Sequence, residues 1–114
     1  MKSIGTDIVE IEKISYYSKK DYFMNKIFTK KEMEYFERKK DASHIGTTFA
    51  AKEAVFKAMG TGWTDGKEVE ILRNKAGKPY VKLYGGLKNK LKGKEIMLSM
   101  SFTKDYAVAF AAIF

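Results

Sequence analysis

The sequence predicts an α+β domain in which an antiparallel sheet packs on one long central helix. Three observations carry this. A strand-like segment opens the chain, helical periodicity dominates from there to Met59, and alternating segments fill the remainder. One strand, a run of helices and then hairpin-linked strands is the α+β order, not the regular βαβ alternation of a parallel sheet.

Residues 4–11 form the first strand. Ile4, Thr6, Ile8 and Glu10 fall on one face, Gly5, Asp7, Val9 and Ile11 on the other. Asp7 therefore shares the apolar side, where a carboxylate is costly unless it is paired or bound to a cation. An Asp that caps a neighbouring turn is the plain alternative. Residues 12–25 are helix-compatible but polar, carrying Lys13, Lys19 and Lys20, followed by Lys26, around the anchors Ile14, Tyr17 and Phe23. Thr29 followed by Glu32 is a capping box, which predicts a helix over about 30–40 with Met33 and Phe36 turned inward. Ser43 is expected to cap the longest helix, which runs to Met59 and stops at Gly60. Phe49, Ala50, Ala54, Val55, Phe56, Ala58 and Met59 make much of its circumference apolar, so it belongs in the middle of the fold.

The segments 68–73 and 80–84 alternate and are joined by Asn74-Lys75-Ala76-Gly77-Lys78, a hairpin-length connection. Residues 86–92 read as a short helix. The segments 96–102 and 106–114 form a second hairpin around Thr103-Lys104-Asp105, and the last strand, apolar on both sides, is expected to be central. No repeat, linker or low-complexity tract interrupts the pattern, so residues 1–114 are expected to form a single domain.

Composition narrows the chemistry. Hydrophobic residues make up 45% and charged residues 32%, enough apolar surface for a core and outside the composition of disordered chains. The lack of cysteine excludes disulfides, thiolate metal sites and cysteine nucleophiles, and nothing calls for an oxidising compartment, so the cytoplasm is the expectation. His44 is the single histidine, which removes His-pair zinc sites and leaves a hard ion on carboxylates as the expected kind of metal. The net charge of +8 favours an anionic partner: nucleic acid, an acidic protein, a phosphorylated ligand or an anionic membrane surface. Arg38 and Arg73 are the two arginines among 22 basic residues, whereas sequence readers of nucleic acid lean on arginine for bidentate base contacts. The N-terminus has no apolar signal core, and the longest apolar run, 106–114, is too short to cross a bilayer, so a soluble protein is expected.

Three features carry the candidate chemistry: Gly5-Thr6-Asp7-Ile8 in the first strand, Phe49-Ala50-Ala51-Lys52-Glu53-Ala54 with Lys57 on the long helix, and Gly60-Thr61-Gly62 at its end. Read singly, each has a plain structural account. Glu53 and Lys57 lie four apart with the acid first, the favourable order for a helix-surface ion pair. A helix stop and a turn account for Gly60 and Gly62.

Read together and in this order, these residues resemble the holo-acyl-carrier-protein synthase family, the small bacterial type of 4′-phosphopantetheinyl transferase. The resemblance extends over nearly the whole chain through Glu10, the Gly77-Lys78-Pro79 before a strand, the Ser99-Met100-Ser101 hairpin segment and Tyr106-Ala107. It implies the phosphopantetheinyl transferase fold and transfer of the phosphopantetheine arm of coenzyme A to a serine of apo acyl carrier protein. It also implies Mg²⁺ and a homotrimer with sites between subunits, without nucleic acid or membrane as partner. By the same resemblance Asp7 and Glu53 are metal ligands, and Lys57 is a catalytic residue at the phosphates. Lys52, Lys57, Gly60, Gly62, Pro79 and Ser101 are implied to bind coenzyme A. Lys13 matches a family arginine that faces the acidic carrier, and Lys20 is placed beside it. A serine hydroxyl attacking phosphorus builds negative charge, which calls for a cation and a positive side chain more than for a protein nucleophile. Water on the metal, oriented by Glu53, and a carboxylate of the carrier both fit as the general base.

Two positions depart from the family pattern. Thr48 stands where many members have arginine, and Phe102 where they have histidine, both toward the nucleotide end of coenzyme A. Loss of these groups should weaken coenzyme A binding unless Lys52, Lys104 or another nearby lysine substitutes. His44 lies outside every motif and is expected to be exposed or to cap a helix; Trp63 is expected over the adenine or at a subunit contact. The alternatives are a small basic nucleic-acid-binding domain, against which Asp7 and Glu53 are badly placed for a polyanion, and a non-catalytic relative that keeps only the carrier contact.

Overall fold

The computed structural model describes residues 2–114. Strand β1 (Ser3–Glu10) runs without a loop into α1 (Ile11–Ser18), followed by α2 (Asp21–Ile27), α3 (Lys30–Lys39) and the long α4 (Ala42–Met59). A 3-10 turn at Gly66–Glu68 leads to β2 (Val69–Arg73), β3 (Pro79–Leu83), α5 (Gly85–Lys90), β4 (Ile96–Phe102) and β5 (Tyr106–Ile113). The strands form two antiparallel sheets, a three-stranded β1-β5-β4 and the β2-β3 hairpin. The central position expected of β5 is therefore observed. β3 lies beside β4 without joining its ladder, so the single sheet expected from the sequence is divided in two.

Why α4 is central follows from side-chain size. The inward residues of β5 begin with Ala107, Ala109 and Ala111, and α4 meets the larger sheet with Ala50, Ala51, Ala54 and Ala58, all buried. Small residues on both sides let backbone approach backbone. Contact is tightest at Gly5, where a Cβ would overlap the carbonyl oxygen of Ala54. Val55, Phe56, Val69, Ile71, Leu87 and Leu98 fill the remaining volume between α4, the hairpin and β4.

The capping box at α3 is formed: Thr29 Oγ1 accepts from the Glu32 amide and Glu32 Oε1 accepts from the Thr29 amide. At α4 the cap is Asp41, whose Oδ1 accepts from the Ser43 amide at 2.9 Å. Ser43 is not the cap; it sits buried in the first turn, because the helix begins two residues earlier than a Ser43 cap implies. Gly60 ends α4 at φ 74°, a conformation that favours glycine, and returns its amide to Phe56 and Lys57. The basic segment after β1 divides into two short helices that break at Lys19 and Lys20. Among the described residues, no helix is long and apolar enough to cross a membrane.

Candidate active site

Strand alternation turns Asp7 toward α4 with Gly5 and Val9. The close approach at Gly5 then lowers Asp7 onto the helix, over the turn that carries Glu53 and Lys57. Lys57 Nζ donates to Asp7 Oδ1 at 2.9 Å and to the Thr6 carbonyl at 3.1 Å. The lysine of the expected Glu53–Lys57 helix pair is thus committed to the strand: Asp7 is its salt-bridge partner, and Glu53 is left beside the pair. Burial holds the Glu53 carboxyl above its ordinary range, the negative charge of Asp7 adds to the rise, and Lys57 opposes it. The hydrogen bond to Asp7 holds the Lys57 ammonium above its ordinary value.

Asp7 has one atom without an account in the protein. Its side chain is 13% exposed, Oδ1 is paired with Lys57, and Oδ2 is buried without a hydrogen-bond partner. A buried, unpartnered carboxylate oxygen costs free energy. With Glu53 as the second carboxylate, this donor set fits a hard divalent ion. Asp7 and Glu53 would be its protein ligands, and waters and phosphate oxygens would complete six-fold coordination.

Lys52 must be removed from the ligand-binding set. Its side chain is 0% exposed, paired with Glu32 at 2.7 Å, and it donates to the carbonyls of Gly66 and Val69 at 2.7 and 2.6 Å. It is a buried strut between α3, α4 and the approach to β2. Buried and with its ammonium committed to Glu32 and two carbonyls, it cannot stand in for the missing arginine or histidine. Gly60 and Gly62 both have positive φ, and a Cβ at either would meet open space, so backbone conformation is what demands glycine there.

Pro79 lies elsewhere, in a cavity of about 380 Å³ lined by Tyr35, His44, Arg73, Lys78 and Phe102. His44 is not an exposed or capping residue. It is half-buried between Tyr35 and Phe102, with ring centroids 5.6 and 6.1 Å away. Thr48, the residue in place of the family arginine, is buried and donates to the His44 carbonyl at 2.8 Å. Tyr35, His44 and Arg73 escaped the sequence reading because no motif contains them; that His44 is the single histidine and Arg73 one of two arginines was the available signal. Ser101 is on the outer face of the large sheet, exposed and opposite Val108. Within one chain, then, Asp7, Glu53 and Lys57 come together, whereas Pro79 and Ser101 do not join them. His44 and Glu53 are nine residues apart on α4, about 13 Å along its axis.

Lys13 is exposed on α1 at the rim of a groove of about 390 Å³ lined by Ile8, Tyr17, Phe23, Phe49 and Tyr106. Lys20 lies 5.1 Å over the ring of Tyr16 and is half-buried. Trp63 stacks within its own chain on Phe49 and packs at a tilt against Phe56.

Comparison with known proteins agrees with this architecture. The family model of the 4′-phosphopantetheinyl transferase superfamily matches residues 3–111. Holo-[acyl-carrier-protein] synthase of Protochlamydia amoebophila is 45% identical over 114 residues, covering 95% of this chain and 93% of the relative. The crystal structure of holo-[acyl-carrier-protein] synthase from Neisseria meningitidis superimposes with a TM-score of 0.90 at 32% identity, over 98% of this chain and 97% of that one. The enzyme from Bacillus anthracis, solved in complex with coenzyme A (3′,5′-ADP), superimposes with a TM-score of 0.83 at 29% identity, over 97% and 94% of the two chains. The chain belongs to the 4′-phosphopantetheinyl transferase superfamily, within the holo-[acyl-carrier-protein] synthase family.

Proposed function

We propose that this protein transfers the 4′-phosphopantetheine arm of coenzyme A to a serine of apo acyl carrier protein, in fatty acid biosynthesis and with Mg²⁺. The serine oxygen bonds to the phosphorus that carries the pantetheine arm, the bond from that phosphorus to the ADP oxygen breaks, and adenosine 3′,5′-bisphosphate leaves. The observation that carries the reading is the unpartnered Asp7 Oδ2 beside Glu53 and Lys57, in a chain with curated holo-[acyl-carrier-protein] synthases as relatives. Mg²⁺, when bound, would neutralise charge on the pyrophosphate. Lys57, 54% exposed at its side chain, is free to swing from Asp7 to a phosphate oxygen. Glu53, beside the Asp7–Lys57 pair, would orient water at the serine proton. Lys13 and Lys20 attract the acidic carrier to α1.

We further propose a homotrimer with sites between subunits. Two observations support it. The sheet face opposite α4 exposes Ile4 (68%) and Ile8 (63%) on β1, Phe110 (45%) and Val108 on β5, and Met97 on β4, an apolar surface of the kind that subunits cover. The second is the distance within one chain between the Asp7–Glu53–Lys57 group and the cavity at Pro79, which a neighbouring copy would bridge. The same reading makes 1–114 one catalytic domain acting in the cytoplasm, in keeping with a sequence that has no cysteine.

Intact-mass measurement of apo acyl carrier protein incubated with this protein, coenzyme A and Mg²⁺ tests the reaction. The expected result is a gain of one phosphopantetheine that EDTA prevents and added Mg²⁺ restores. No gain with several carriers at saturating coenzyme A would overturn it.

A further inference from the structure

The net charge of the chain is concentrated in one stretch. Residues 71–94 contain Arg73 and seven lysines, from Lys75 to Lys94, and no Asp or Glu. The rest of the chain holds 14 basic against 14 acidic side chains, so the whole +8 resides in this stretch. The segment of α1 and α2 is nearly neutral by comparison: over residues 10–27, Lys13, Lys19, Lys20 and Lys26 stand against Glu10, Glu12 and Asp21. All seven lysines of 71–94 are exposed, and among the described residues neither they nor Arg73 is in a salt bridge. Like charges held together without partners repel one another and cost stability until an anion neutralises them.

Four of these lysines form one surface. Leu87 and Leu91, four residues apart, are buried and anchor α5 to the core, which leaves Lys88, Lys90, Lys92 and Lys94 in solvent. The surface is remote from α1. Lys94 precedes Glu95, which pairs with Phe114 just beyond one end of β5, whereas Glu10 pairs with Tyr106 at the other end, immediately before α1. The eight residues of β5 separate the two ends by about 24 Å, more than twice the Debye length of about 10 Å in 0.1 M salt. The α5 lysines therefore add little to the field at Lys13 and act as a surface of their own.

The make-up of this surface selects its partner. Both leucines of the segment point inward, so α5 has no apolar side chain to insert into a bilayer. Residues 85–94 include no arginine and no aromatic ring, the groups that grip base edges and stack on single strands. Compact, strongly hydrated ammonium groups suit a carboxylate-rich protein surface that is captured at long range and released readily. We infer that Lys88, Lys90, Lys92 and Lys94 form a second capture surface for the acidic carrier protein, independent of Lys13 on α1. The partner's identity rests on the proposed transferase reading, and association measured without coenzyme A lets the two fail separately.

Stopped-flow association of apo acyl carrier protein with the whole protein provides the test. The fourfold variant Lys88→Gln, Lys90→Gln, Lys92→Gln, Lys94→Gln should lower the association rate constant about tenfold at low salt and leave the dissociation rate constant within about twofold. The difference should vanish above roughly 0.5 M salt. A control with Lys2→Gln, Lys30→Gln, Lys40→Gln and Lys67→Gln, exposed and scattered elsewhere, removes the same charge and should lower the rate less than about threefold. Adding Lys13→Glu to the α5 variant should multiply the two separate effects, as independent sites require. Equal losses in the two fourfold variants, or an unchanged rate in the α5 variant, overturn the inference. So does an α5 variant that loses binding to poly(U) RNA or to phosphatidylglycerol vesicles while it associates normally with the carrier. If the carrier is captured through α5 but never modified, the surface stands and the transferase reading falls.

Discussion

Gly5 in β1 rests on the carbonyl oxygen of Ala54 in α4, with no room between them for a Cβ. This contact sets the height of the strand above the helix, and two residues along the strand it sets the distance at which Asp7 meets Lys57. The metal-ligand candidates therefore depend on a residue with no side chain.

Gly5→Ala should lift β1 from α4. Overpacking against backbone, which cannot rotate away, should cost about 3 kcal/mol or more. That corresponds to a drop in Tm of roughly 12 °C or more for a domain of this size. Thermal denaturation followed by circular dichroism checks it, and a Tm within a few degrees of the parent would mean that the close approach is not rigid.

Asp7→Asn and Glu53→Gln should each lower Mg²⁺-dependent transfer by roughly a hundredfold or more while the protein stays folded. The Asp7–Lys57 pair has an exposed lysine, so its loss should cost no more than about 1 kcal/mol of stability. Asp7→Asn also makes a signed prediction about its neighbour. In the metal-free protein it removes a negative charge that raises the Glu53 pKa, so the Glu53 midpoint should move down toward the ordinary carboxylate range. Carboxyl-resolved NMR titration reads this directly, and an upward or absent shift would separate the two carboxylates.

Lys52→Met should destabilise the domain by about 3–5 kcal/mol, because it strands a buried carboxylate. It would leave Glu32, 1% exposed, facing the unpaired carbonyls of Gly66 and Val69. The double variant Lys52→Met with Glu32→Gln should lose less than the sum of the two, the coupling expected of contacting residues. Urea unfolding of the four proteins measures it. A normal unfolding curve with weakened coenzyme A binding would instead return Lys52 to the ligand-binding set.

Lys52 and Lys57 mark the boundary of what the sequence makes legible. Element types, the capping box at Thr29, the stop at Gly60 and the central β5 all follow from local pattern, because period, caps and turn residues are local physics. The grouping of Asp7, Glu53 and Lys57 was legible through the motif order. Which of two lysines on one helix is buried was not, since it depends on Glu32, twenty residues upstream and brought over by the α3–α4 packing. The grouping of Tyr35, His44 and Arg73 was hidden for the same reason: its members come from three elements that only the tertiary fold brings together.

Lys13→Glu should weaken recognition of the carrier and leave the fold intact, since Lys13 is exposed on α1. Reversing one charge should raise the KM for carrier about tenfold at low salt, and the difference should shrink above roughly 0.3 M salt as screening removes the long-range attraction. Steady-state kinetics at two ionic strengths distinguishes this from a change at the phosphates, which would persist in high salt. Equal KM values at low salt would take Lys13 out of the interface.

Phe110→Arg tests whether a complete site needs more than one chain. Phe110 is at the centre of the outer sheet face, opposite Thr6 on one side and Ser99 on the other, and α4 lies on the far side, so a charge there leaves the core of the chain untouched. It would nonetheless desolvate at great cost in an apolar subunit contact. Light scattering should show a fall from the mass of three chains to that of one, with the far-UV spectrum retained. Transfer should be lost even though Asp7, Glu53 and Lys57 are unaltered, because the isolated chain keeps the Pro79 cavity about 13 Å along α4 from the carboxylates. A single-chain species with full activity would place the entire site within one subunit, and an unchanged mass would mean that the exposed apolar face is not where the copies meet.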